Sequence, residues 1–143
     1  MATRLFMWVV GAVVLAACAA AAPPAPGIQF DGSYIGQDTL VTGVPFQCGD
    51  PVLLQRFEVR GGQFYYPFQV SPPRAAPLPV WVRTDGSLAG QMQYGVETGL
   101  PFRQSFTTEW ATLAGHITDG TLDATVTGFR CVRRLTATAQ RLG

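Results

Sequence analysis

Few residues of this 143-residue chain have types suited to chemistry. They are the single histidine His116, the serines Ser33 and Ser87, the neighbouring acids Asp119 and Asp123, and the cysteines Cys18, Cys48 and Cys131. A histidine that takes a proton from a serine, held in place by a carboxylate, would build an acyl-transfer site. Such a serine sits on a strained strand-to-helix elbow, Gly-x-Ser-x-Gly. Ser33 and Ser87 instead follow Asp-Gly turns, and no helical pattern comes after them. His116 ends a strand beside a turn and reads as a surface residue. Two carboxylates could serve glycoside hydrolysis, but Asp119 is a turn residue by type. Asp123 alternates with Leu122 and Ala124 and is expected to face solvent. No phosphate-cradling loop, zinc spacing or cofactor fingerprint is present in the sequence. The expectation is a protein that is not an enzyme and uses no cofactor or metal.

The first 27 residues carry an address. Arg4 is the only charge before an apolar run from Leu5 to Ala17, which is followed by small residues and by Pro23, Pro24 and Pro26. That order describes a secretory signal peptide, and the run is shorter than the roughly 20 apolar residues that span a bilayer. The segment Leu15-Ala16-Ala17-Cys18 resembles the lipobox of bacterial lipoproteins, whose cysteine is alkylated by a diacylglycerol before the chain is cut ahead of it. The resemblance implies a signal peptide over 1–17, a lipidated Cys18 with an Ala/Pro-rich tether over 18–29, and a domain over 30–143. The protein would then be anchored to a membrane of the bacterial cell envelope, since two or more acyl chains give stable attachment. Cleavage after Ala17-Cys18-Ala19 is the alternative, leaving a soluble periplasmic or secreted chain. Either route removes Cys18 from pairing and leaves Cys48 and Cys131 as an even pair in an oxidising compartment. A disulfide between them closes a loop of about 83 residues, on the order of 4 kcal/mol in the chain-entropy account.

Composition bounds the rest. Ten Arg against nine acidic residues give a net charge of +1, with no Lys and no Asn. That balance supplies no field for nucleic acid. About 114 residues after the tether suffice for one domain with one core.

The elements that must position these residues are strands. Gly61-Gly62, Asp85-Gly86 and Asp119-Gly120 separate segments that alternate apolar and polar residues, the signature of tight hairpins. Phe64, Tyr66, Phe68 and Val70 share one face, as do Leu88, Gly90, Met92 and Tyr94, and then Leu113, Gly115 and Ile117. With an opening strand over 33–41 and a last one over 129–137, about eight strands form an antiparallel meander. The expected fold is all-β and closed as a small barrel, with a β-sandwich as the alternative. A Cys48–Cys131 bridge would join the two ends of the sheet. Ser71 to Pro79 reads as a stiff proline-rich loop, and Gly95 to Pro101 as a second long connection at the barrel mouth.

The opening Phe30-Asp31-Gly32-Ser33-Tyr34-Ile35-Gly36 resembles the first strand of short exported bacterial β-proteins. It is also similar to the Gly-x-Trp start of lipocalin and avidin barrels, with Tyr34 in the tryptophan position. The likeness spans seven residues and implies no ligand set. If Val and Leu mark the core, Tyr65, Trp81 and Trp110 point outward beside Arg56 and Arg83. Exposed rings next to arginine mark binding surfaces. The favoured reading is a non-enzymatic envelope lipoprotein that binds a protein, a glycan or a small apolar ligand. An inhibitor of a secreted or host hydrolase, acting through Ser71 to Pro79, is the second, and an exported enzyme the third.

Overall fold

The computed structural model describes residues 24–99, 102–103 and 105–141. The signal segment, Cys18 and the start of the tether lie outside them. A short 3-10 turn (Ile28–Phe30) leads into β1 (Gly32–Thr42), and a one-turn helix α1 (Pro45–Cys48) precedes β2 (Val52–Val59). Six more strands follow: β3 (Gln63–Ser71), β4 (Arg74–Val82), β5 (Ser87–Thr98), β6 (Ser105–Thr118), β7 (Thr121–Gly128) and β8 (Cys131–Ala139). All pairings are antiparallel, in one sheet of order β2-β1-β8-β7-β6-β5-β4-β3 that curls into a nearly closed barrel. The sandwich alternative is thereby excluded.

The hairpin chemistry works as the residue types demand. Gly61 and Gly62 (φ 61° and 69°) and Asp119 and Gly120 (φ 50° and 75°) supply the paired positive φ values of two-residue hairpins. In the first, Arg60 and Gln63 exchange both backbone hydrogen bonds, at 2.9 and 3.1 Å. Sharp coiling of the sheet needs inward glycines where strands cross closely. A Cβ on Gly36 would lie 1.9 Å from Thr136 O, and one on Gly115 would lie 2.2 Å from Asp123 O.

The seam is not between the first and last strands. β1 pairs with β8 from Tyr34↔Ala139 to Thr42↔Val132, so the free edges of the sheet are β2 and β3. These two are joined by the Gly61-Gly62 turn and diverge from it. Side chains cross the gap where the backbone ladder does not: Phe57 of β2 stacks on Phe64 of β3 with ring centroids 4.6 Å apart. The disulfide, with Cα atoms 5.7 Å apart, therefore ties the α1 connection to the start of β8 instead of linking the sheet ends.

Two expected loops are strands. Arg74–Val82 is β4, leaving only Ser71 to Arg74 as a turn, and β5 continues through Gly95 to Thr98. Proline is admitted because β4 meets β5 only from Val80↔Gly90 to Val82↔Leu88. Beyond that point Pro77 and Pro79 lie on an open edge where no ladder N–H is required. Pro67 of β3 stands directly opposite Pro77.

Docking of the chain also begins before residue 30. Pro26 bridges to Arg83, Gly27 N donates to Val82 O at 2.8 Å, and Gln29 donates to Thr84 O. Asp31 accepts hydrogen bonds from Gly61 N and Gly62 N at 2.7 and 2.9 Å. The segment entering the barrel thus caps one pole, with the turns after β2, β4 and β6.

Candidate functional site

The barrel interior is filled by side chains. Tyr34, Val59, Phe64, Tyr66, Phe68, Leu78, Val80, Val82, Leu113, Ile117, Leu122, Val126 and Leu135 are all buried in one cluster. Surface recesses of about 460 and 270 Å³ lie over the walls, around β6–β8 and around β1, β2, β7 and β8.

Within that apolar interior sits a charged pair that the sequence reading passed over. Asp38 on β1 and Arg133 on β8 are both buried. Arg133 Nε donates to Asp38 Oδ1 at 2.7 Å. Its two terminal nitrogens donate to Cys48 O at 3.0 Å, Asp38 O at 3.2 Å and Asp50 O at 2.7 Å. Tyr66 of β3 donates its hydroxyl to the other oxygen of Asp38. Burial, the negative Asp38 and the bond to it together push the Tyr66 hydroxyl far above its ordinary pKa. Each charge is therefore satisfied, and the group is sealed from solvent. It laces β3, β1, β8 and the α1 connection across the seam, a structural rather than a reactive role. The signal was available: Asp38 shares the inward parity of Tyr34, and Arg133 that of Leu135.

The residues considered for hydrolysis come closer together than their sequence separations suggest. Ser87 of β5 pairs with His116 of β6, which pairs with Asp123 of β7, so the three form one row on the outer wall. Their hydrogen bonds do not wire them as a triad. His116 Nδ1 lies 2.9 Å from Thr118 Oγ1. Asp123 accepts two bonds from Arg134, at 2.9 and 2.5 Å, and this partner holds its carboxyl below the usual range. The Ser87 hydroxyl is buried and has no partner. Asp119 holds the turn beside them with its positive φ. Among the described residues, no cluster of His, Cys, Asp or Glu has the composition of a metal site.

The aromatic residues stand where alternation places them. Tyr65, Trp81 and Trp110 are 59%, 50% and 53% exposed, and Arg56 and Arg83 are exposed as well. The structure divides these five. Tyr65 pairs with Pro79 and Gln63 with Trp81, so Tyr65 and Trp81 are diagonal neighbours on the outer face of the β3–β4 hairpin. Arg83 follows two residues beyond Trp81. Trp110 lies apart, opposite Gln93, whereas Trp81 lies opposite Ala89. Arg56 is on β2, across the seam. Strand parity does not single out the apolar residues of the opposite pole, where Phe46, Phe102 and Phe106 are exposed.

No protein family, curated protein or solved structure matches this chain.

Proposed function

We propose that this chain is an exported envelope lipoprotein, held by lipid on Cys18, whose small barrel is a non-enzymatic binding module. Its contact surface is Tyr65, Trp81 and Arg83 on the outer wall of β3 and β4. The observation that carries the reading is the combination of a filled interior with large rings left in solvent. Seventeen hydrophobic side chains occupy the inside of the barrel, which favours a partner on the outer wall over a small apolar ligand held within. Two exposed rings that are diagonal neighbours, with the exposed Arg83 two residues beyond Trp81, suit a protein or glycan surface, where aromatic and arginine side chains dominate contact energy. The outer row of Ser87, His116 and Asp123 lacks the hydrogen bonds that acyl transfer needs, which favours binding over catalysis. Pro26 to Phe30 cap one pole, so an anchored chain would hold that end toward its membrane and the side wall free.

Two measurements test this. Mass spectrometry of the mature N-terminus is expected to find an acylated Cys18, and Cys18→Ala to release the protein from membranes; a mature chain starting at Ala20 overturns the anchor. For the wall, a photo-crosslinking residue at position 81 is expected to trap a discrete partner in cells, and Tyr65→Ala to abolish the adduct. Trp81→Ala is expected to leave stability within about 0.5 kcal/mol, as surface substitutions do. A loss of about 3–5 kcal/mol would mark it as core and remove the surface.

A further inference from the structure

Open sheet edges are a liability that folds guard against with prolines, charges, glycines or covers. This barrel has several open stretches, and most are guarded. β3 carries Pro67 and β4 carries Pro77 and Pro79, while β2 carries Arg56 and Glu58. The part of β5 beyond Gly90, unpaired on the β4 side, contains Gly95 and Glu97.

One stretch is different. β6 pairs with β5 from Ser105 to His116, but with β7 only from Thr112 to Thr118. Among the described residues, Ser105–Ala111 therefore runs as the outer strand of a two-stranded arm, with sequence Ser-Phe-Thr-Thr-Glu-Trp-Ala. It has no proline, glycine or basic residue, and Thr and aromatic side chains favour strand pairing. Phe106 is 73% exposed, and Trp110 is exposed with it on the same face.

The direction of its free backbone groups follows from the ladder. Ile117 N donates to Gly86 O, on the β5 side. Along an antiparallel strand the bonding side alternates residue by residue. Odd residues of β6 thus bond toward β5, and Phe106, Thr108 and Trp110 turn their N–H and C=O groups to the open side.

We propose that two copies of this chain associate through this edge, antiparallel, about a two-fold axis at Thr108. Such an isologous contact requires a self-complementary strand, and the seven residues meet the condition. With Thr108 opposite its symmetry mate, Phe106 falls opposite Trp110 of the second copy, and Trp110 opposite its Phe106. Aromatic cross-strand pairs stabilise a sheet. The residues placed opposite one another across the axis at 106, 108 and 110 are those whose backbone groups are free. Glu109 meets Thr107 rather than a second Glu109, so no like charges are opposed. The contact joins two arms and leaves Tyr65, Trp81 and Arg83 uncovered, so it is independent of the partner proposed for that wall.

The test uses the purified full-length chain in mild detergent, oxidised with diamide. At a hydrogen-bonded antiparallel pair the Cα atoms lie about 5.5 Å apart, within the range a disulfide spans. Thr108→Cys is therefore expected to give a covalent dimer, with peptide mapping joining the two 108 positions. Thr107→Cys, whose two copies lie diagonally and farther apart, is expected to stay at the wild-type background. Dimer no higher than wild type for Thr108→Cys, or equal yields from the two variants, overturns the proposal. Thr108→Pro supplies an orthogonal measure, because it deletes an N–H on the open side and leaves the bonds to β5 in place. Sedimentation is expected to show self-association weakened at least tenfold with an unchanged melting temperature. Undiminished association of that variant also overturns it.

Discussion

The two poles of this barrel are closed by different physics. At the pole where the chain enters, the turns after β2 and β6 have two-residue loops, and that after β4 has three. Backbone bonds, the Asp31 carboxylate and the packed rings of Tyr34, Phe57 and Phe64 hold it together. At the far pole the ladders part: β2 from β3, β4 from β5, and β7 from β6. There the closure rests on a disulfide, a one-turn helix and the buried Asp38–Arg133–Tyr66 group. The far pole has two-residue loops as well, after β3 and β7, but these close only their own hairpins. Where neighbouring ladders part, long-range side-chain bonds must close the barrel.

The largest test of that contrast is Arg133→Leu. It strands Asp38 as an unpaired charge in the interior and removes the bonds to Cys48 O and Asp50 O. The expected cost is about 3–5 kcal/mol in chemical denaturation. The double variant Asp38→Leu/Arg133→Leu is expected to recover a large part of this, since it buries no lone charge. A single-variant cost below about 1 kcal/mol would show that the far pole does not depend on the pair.

Replacing both Cys48 and Cys131 by Ser is expected to cost about 2–5 kcal/mol. Hydrogen exchange should localise the damage, with amides of 43–51 opening while those of 60–63 and 83–87 stay protected. Uniform loss of protection would erase the distinction between the poles.

Alkaline pH should strain the far pole next. The folded state keeps the proton on Tyr66 far above the value of a free tyrosine, near 10. Above that pH the unfolded chain binds fewer protons than the folded one. Stability is thus full below pH 10 and falls above it, by about 1.4 kcal/mol per pH unit for one such group. Burial raises Tyr34 and Tyr94 in the same direction. Tyr66→Phe should be less stable at neutral pH, because an oxygen of Asp38 loses its donor, yet show a shallower alkaline slope. An unchanged slope would assign the effect to the other two tyrosines.

The smallest change is expected at the entry pole. Asp31→Ala takes the carboxylate from the exposed Gly61 N–H, where water replaces it, and from the N–H of the buried Gly62, at a cost of about 1–2 kcal/mol. A larger loss would mean that the turn after β2 depends on the entering chain rather than on its own glycines.

The period-two alternation and the Gly61-Gly62, Asp85-Gly86 and Asp119-Gly120 turns suffice, read from the sequence alone, for eight antiparallel strands and for the buried face of those that flank these turns. The outward placement of Tyr65, Trp81 and Trp110 follows from the same parity, and the even pair of cysteines left once Cys18 is set aside anticipates the Cys48–Cys131 bridge. These features are legible because each depends on residues a few positions apart, or on a single possible pairing. Strand order, the seam between β2 and β3, the strand character of the proline-rich 74–79 and the open edge of β6 are tertiary decisions. They depend on where curvature makes neighbouring ladders part, a balance of contacts between residues dozens of positions apart. The same holds for Arg133, a charge at an inward position. Only the arrival of Asp38, Tyr66 and two carbonyls from distant segments makes its burial tolerable.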